Sequence, residues 1–208
     1  MRKLIVAASI AAASLASPAL AQDKGPFTGI HIEGLAGWDR NHVQGGHSDG
    51  IAYGVGAGFD FQAGRALLGV EGEASDSSAD QCLTGTIVAT DRLCAKAGRD
   101  LYVGGRVGAL VGASTLLYAK AGYTNARFNF IGTDGTTNYQ QNLDTDGWRV
   151  GAGVEHKMGS NAFARLEYRY SKYSSGEIDF EASGVADSDH FNIDTDRHQV
   201  MAGVGWRF

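Results

Sequence analysis

Proline, cysteine and long apolar runs are scarce in this 208-residue chain, and each shortage removes a possibility. Its two prolines are Pro18 and Pro26, and none follows. Every later backbone N–H is therefore free to join a hydrogen-bonded ladder. Beyond the N-terminus no stretch approaches 18 consecutive apolar residues, so a membrane-crossing helix is excluded. If the chain spans a bilayer, it does so with strands. The two cysteines, Cys82 and Cys94, stand without neighbouring histidines and do not complete a zinc site. The chain is acidic, with a formal net charge of −5, and carries no basic patch that argues for nucleic acid. Glycine, by contrast, is plentiful at 30 residues, scattered rather than set in a collagen period.

The first residues, MRKLIVAASIAAASLASPALAQ, place Arg2 and Lys3 before an apolar stretch that ends in Ala19-Leu20-Ala21. This is the layout of a secretory signal peptide over 1–21, with cleavage expected between Ala21 and Gln22. Residues 22–208 then form one domain, of charge about −7 once Arg2 and Lys3 are gone. Export brings Cys82 and Cys94 into an oxidising compartment, where a bridge between them is expected.

Eight segments alternate apolar and small or polar residues: 27–38, 51–61, 66–75, 99–110, 116–128, 147–157, 162–173 and 198–208. In the last, Val200, Ala202, Val204, Trp206 and Phe208 fall on one face, and Gln199, Met201, Gly203, Gly205 and Arg207 on the other. Segments of about 10 to 13 residues suit tilted strands that cross a bilayer. Short connections at 62–65, 111–115 and 158–161 alternate with long ones at 39–50, 76–98, 129–146 and 174–196. The pattern predicts an all-β fold: an eight-stranded antiparallel transmembrane up-and-down β-barrel, its short turns in the periplasm.

The polar faces carry Glu33, Asp60, Glu71, Glu73, Glu155 and Glu167 against Arg106, Lys120, Arg149, Arg165, Arg169 and Arg207. In a barrel of this size those charges point inward and fill the lumen as a paired network. The glycines of GVGAGF (54–59) then make room for bulky charged chains. On the outward face, Phe59, Phe61, Trp206 and Phe208 mark one interface, and Trp38, Tyr53, Trp148 and Tyr170 the other.

The last strand resembles the C-terminal assembly signal of bacterial outer-membrane barrels, through Gly203, Trp206 and Phe208, with Met201 departing from a usually polar position. ALLGVEGEAS, LLYAKAGYT, LEYRY and the terminal strand are similar to the small OmpA/OmpX/opacity-like family, often called the porin family. The resemblance covers essentially all of 27–208. It implies an outer-membrane location in a Gram-negative bacterium, lipopolysaccharide and other outer-membrane lipids as surroundings, and periplasmic chaperones and the barrel-assembly machinery as partners in biogenesis. Larger members append a peptidoglycan-binding domain, which a chain ending at Phe208 is expected to lack.

Catalytic, cofactor and metal sites are not expected. GVGAGF has no following helix and no Lys-Ser/Thr for a phosphate. A lipid A deacylase needs neighbouring His and Ser on the lipid face. His156, expected to face lipid mid-strand, has its nearest following serine at Ser160 in a turn. The acids Glu177, Asp179, Glu181, Asp187, Asp189, Asp194 and Asp196, and the DTDG at 144–147, lack a complete calcium-loop pattern and read as solvated loops. The expected role is structural: a surface-display protein for envelope integrity or adhesion, with any ligand bound at the loops. The alternatives are a narrow ion or solute channel, a lipid A-modifying enzyme and a secreted ligand-binding barrel.

Overall fold

The structure, a computed structural model, describes residues 25–43, 46–84, 92–133, 138–179 and 195–208. The expected leader, its cleavage point Ala21–Gln22, and Glu181, Asp187, Asp189 and Asp194 lie outside the described residues. No helix among the described residues is long and apolar enough to cross a membrane.

The strands are β1 (Gly29–Val43), β2 (Gly46–Ala63), β3 (Ala66–Ser77), β4 (Asp80–Thr84), β5 (Arg92–Val111), β6 (Thr115–Thr133), β7 (Asn138–Met158), β8 (Ala162–Asp179) and β9 (Thr195–Arg207). Neighbours pair antiparallel in the order β3-β2-β1-β9-β8-β7-β6-β5-β4, and β3 pairs with β5 to close the ring. Eight strands make the wall. The ninth, β4, continues β3 past Ser78 and Ala79 and pairs with the outer end of β5. Closure leaves no lipid-facing edge, which a spanning sheet requires.

Three tight turns lie at one end, around Gly64, Gly112 and Gly159. Each has a left-handed backbone there, with φ of 61°, 75° and 74°, a conformation that favours glycine. Both ends of the described barrel share that side: Phe208 N–H donates to Ile30 C=O at 2.9 Å, and Phe27 caps the opening from within.

The opposite side departs from expectation. The long connections read as loops in the sequence, yet strand runs deep into them. β5, β6 and β7 hold 20, 19 and 21 residues, about twice what a bilayer crossing needs. β4 to β8 therefore continue as a tall sheet above the wall. Two register shifts mark where it begins: Ala97/Asp100 on the β5–β6 pair and Asp146/Gly147 on the β7–β8 pair. Asp100 pairs with Ala126, and Ala126 with Thr145, so both shifts lie at one height. Such bulges bend a strand and increase its twist.

The alternation sets the two faces as expected. Val55, Val70, Val103, Leu166 and Val204 are exposed on the outside. Their partners in sequence, such as Glu71, Tyr102 and Glu167, are buried in the lumen. The predicted interface aromatics Phe59, Phe61, Trp206, Phe208, Trp38, Tyr53 and Trp148 all face outward. At the turn end the lumen has an apolar floor of Phe27, Leu67, Leu110, Leu116 and Tyr118.

Thiol accessibility checks this facing. In a background with Cys82 and Cys94 replaced by serine, Val150→Cys and Leu166→Cys should react with a hydrocarbon-soluble maleimide in proteoliposomes. Ser75→Cys and Ser171→Cys, which face the lumen, should stay unmodified until the barrel is unfolded. Reaction at the serine positions alone would reverse inside and outside.

Candidate functional site

Above the apolar floor the lumen is filled by ionised side chains in three levels. The level nearest the turns holds Asp60, Glu155, Arg106 and Arg207. Arg106 donates to both Asp60 carboxylate oxygens, from Nε at 2.7 Å, and to Glu155 at 3.1 Å. Arg207 donates to Asp60 at 2.6 Å and to Glu155 at 2.7 Å. His31, fully buried, places Nδ1 3.2 Å from Asp60.

The middle level centres on Lys120. Its ammonium lies 2.8 Å from Glu71, 2.7 Å from Glu73 and 2.8 Å from Glu167. Those three carboxylates have the spacing of a cation cage, and the lysine occupies it. Arg165 donates to Glu33, to Glu73 at 3.2 Å and to Glu71 at 3.5 Å. Arg169 donates to Glu167 and to Glu73 at 2.9 Å. Tyr118 O–H donates to Glu167 at 2.6 Å, and the Arg106 and Arg165 guanidinium groups lie over its ring at 5.2 and 5.7 Å.

The outer level is built from Asp39, Asp100, Arg149 and Arg197. Arg197 donates from two nitrogens to Asp39, at 2.8 and 2.7 Å, and from a third to Asp100 at 2.7 Å. Arg149 donates to Asp100 and, at 2.8 Å, to Ser171. Thr124 and Tyr173 hydroxyls also donate to Asp100, at 2.7 and 3.2 Å. Eight buried carboxylates thus meet seven buried permanent cations. Each guanidinium reaches across the barrel to strands it is not paired with. A half-satisfied buried network would be costly.

All the charged lumen residues expected from sequence, Glu33, Asp60, Glu71, Glu73, Arg106, Lys120, Arg149, Glu155, Arg165, Glu167, Arg169 and Arg207, are buried in this network. The inward glycines serve as expected. A methyl group at Gly56 would lie 2.7 Å from a Glu33 carboxylate oxygen, and one at Gly203 would meet Leu35 and Arg165. Asp39, Asp100 and Arg197 escape the sequence reading: Asp39 falls in the 39–50 connection, Arg197 just before the 198–208 segment, and Asp100 at the edge of the 99–110 segment, next to the charged Arg99. Met201, the departure from the terminal signal, is fully buried against Leu35 and Ala52, which explains its apolar character.

Other expectations are corrected. His156 faces outward but near the turn end, two residues from the end of β7, with Nδ1 3.0 Å from the Thr115 hydroxyl. His198 also faces out, 2.7 Å from Tyr168 O–H. DTDG at 144–147 is strand rather than loop, and its acids are engaged. Glu177 and Asp179 belong to β8 and Asp196 to β9, where it accepts from Tyr170 O–H at 2.7 Å.

A second charged zone rings the outside, just above the outward aromatics. Arg40 donates to Asp49 at 2.7 and 3.1 Å and lies 4.7 Å over Trp38. Arg127 binds both oxygens of Asp144 at 2.8 Å, which holds that carboxyl below the usual carboxylate range. Asp146 accepts from Tyr123 O–H and, at 2.9 Å, from Asn125.

Set beside known proteins, the chain matches a family model described as outer membrane protein beta-barrel domain over residues 7–208. It is 28% identical over 188 residues to a 25 kDa outer-membrane immunogenic protein of Brucella canis, covering 88% of this chain and 78% of that one. It is 30% identical to a 22 kDa outer membrane protein of Rhizobium leguminosarum bv. viciae, covering 88% and 79%. Among solved structures, Neisserial surface protein A superposes with a TM-score of 0.57 at 13% identity, over 87% of this chain and 98% of that one. Ail of Yersinia pestis, solved with the heparin analogue sucrose octasulfate, gives 0.55 at 12% identity, over 87% and 99%.

The network predicts unequal costs for similar substitutions. Arg165→Met, which strands Glu33 and takes one of several partners from Glu71 and Glu73, should lower unfolding stability in micelles by about 3–5 kcal/mol. Arg40→Met at the exposed rim should change it by about 1 kcal/mol or less. Lys120→Ala should also destabilise, and refolding that variant with Mn²⁺ should restore part of the loss. The same ion should leave the wild-type transition unmoved.

Proposed function

The chain belongs to the outer membrane protein beta-barrel domain family, and from that premise we propose that it is an outer-membrane display scaffold. The sealed wall anchors it, and the tall sheet presents surface to the outside. The observation that carries this reading is the contrast between the two halves of one set of strands. Inside the wall, ion pairs and an apolar floor fill the lumen, which suits an anchor better than a passage for solutes. Above the wall, β4 to β8 extend roughly another 15–30 Å, length that spanning does not need. The relatives carrying the name immunogenic outer-membrane protein support a chain exposed at the cell surface. Envelope integrity and adhesion are the roles such a scaffold serves, through segments placed on a rigid base. Enzymatic activity forms no part of this reading.

Two features complete it. Cys82 and Cys94 are direct register partners in the β4–β5 hairpin. We propose that they form a disulfide that staples this hairpin, a constraint worth about 3 kcal/mol in the chain-entropy account. The terminal strand, with Gly203, Trp206 and Phe208, is paired on both sides in the closed barrel, to β1 and to β8. Its use as an assembly signal therefore belongs to the stage before closure, when its edges are open to strand addition by the assembly machinery. Removal of residues 1–21 and escort by periplasmic chaperones precede that step.

Epitope tags test the display reading. A tag inserted between Thr133 and Asn138 should bind antibody on intact cells. A tag at Ala113 should bind only after the outer membrane is permeabilised. The reverse pattern would sink the proposal, and steady single-channel conductance in planar bilayers would replace it with a pore. Intact mass of the purified protein should fall short of the dithiol value by two hydrogens, and reduction should restore them.

A further inference from the structure

Arg99, Arg127 and Asp144 stand together on the outward face of β5, β6 and β7, where the wall gives way to the tall sheet. Asp144 is the register partner of Arg127, and both its oxygens are taken by that guanidinium at 2.8 Å. Arg99 reaches the same carboxylate with one nitrogen only, at 3.9 Å, too long for a hydrogen bond. Among the described residues that is its one ion-pair contact. Asp76 lies one register step beyond the Ser75–Asp100 pair, and its carboxylate accepts the Ser77 N–H at 2.7 Å. Asp146, the next outward acid on β7, is held by Tyr123 and Asn125. Among the described residues Arg99 is thus a half-exposed cation with no partner nearer than 3.9 Å, beside a second arginine fixed in position by its own carboxylate.

The height of this pair decides what it meets. Outward Tyr123 and Trp148 lie four residues below on β6 and β7, paired across the strands, with the Asn125–Asp146 pair between. Rings of this kind mark the boundary between acyl chains and headgroups. Cations that point away from the lumen on the outer side of these rings face the headgroup side of that boundary. Guanidinium matches a phosphate with two parallel N–H donors, and two arginines on adjacent strands can share one phosphate.

We propose that Arg99 and Arg127 form a binding site for the phosphate of an outer-leaflet glycolipid, with Asp144 orienting Arg127. The site rests on the outer-membrane reading and adds a specific lipid contact to it. In this arrangement the phosphate supplies Arg99 with a close negative partner that it lacks among the described residues, where Asp144 stands 3.9 Å away. The sugar lies against the outer strands and the acyl chains against the apolar wall below.

Native mass spectrometry of the folded barrel tests the site with two probes: a glucosamine glycolipid carrying two phosphates, and the same lipid dephosphorylated. The phosphorylated lipid should be retained about tenfold more strongly than the other. Arg99→Gln and Arg127→Gln should each remove about that advantage, and Arg99→Lys should keep part of it. Arg40→Gln, on the far side of the rim, should change nothing. Boiling-dependent gel mobility confirms that each variant is folded. Equal retention of both lipids would overturn the site, as would indifference to Arg99→Gln and Arg127→Gln, or an equal loss with Arg40→Gln. Displacement of the lipid by inorganic phosphate at similar concentration would overturn the lipid in favour of a soluble oxyanion. Tags displayed on cells alongside no preference for the phosphorylated lipid would sink this site alone.

Discussion

Hydrocarbon offers no partner to a backbone amide or to a charge, and the whole architecture follows from that. The amides solve the problem by closing the sheet, so that every strand of the wall has a neighbour on both sides. The charges solve it by crossing the lumen. Arg106, Arg165 and Arg197 each bind carboxylates on strands other than their own neighbours, for instance Arg197 on β9 to Asp100 on β5. Hydrogen bonds hold the circumference and ion pairs hold the diameter. Neither works alone: an open sheet would admit lipid among the charges, and an unpaired lumen would draw water through the wall.

Much of this was legible because a spanning strand is read by two sharply different surroundings. An error of one residue would put Arg149 in lipid and Val150 among carboxylates. That contrast fixed the faces of all eight segments and the inward position of the twelve charged residues named from sequence. It weakens where the strands leave the bilayer. Asp39, Asp100 and Arg197 lie at that limit, and polar residues there look the same in a loop or a strand. The outer sheet went unread for the same reason: residues such as 129–146 have no apolar face to reveal a period of two. The Arg127–Asp144 pair depends on register across β6 and β7, which composition does not contain.

The outside and the inside of the barrel use the same chemistry for different ends. In the lumen, carboxylate and guanidinium are buried and pair with one another across several strands. At the rim, the same groups are part-exposed, so pairing is local, between adjacent strands, as with Arg40 and Asp49. The rim can therefore leave a cation such as Arg99 loosely held, which the lumen cannot.

The two bulges at the height of Asp100 and Asp146 also act as a counting break. Below them, each strand must keep its odd and even positions in step with oil and salt. Above them, an added or lost residue changes only what projects into the medium. An insertion or deletion above the bulges thus leaves the facing of the wall below them unaltered.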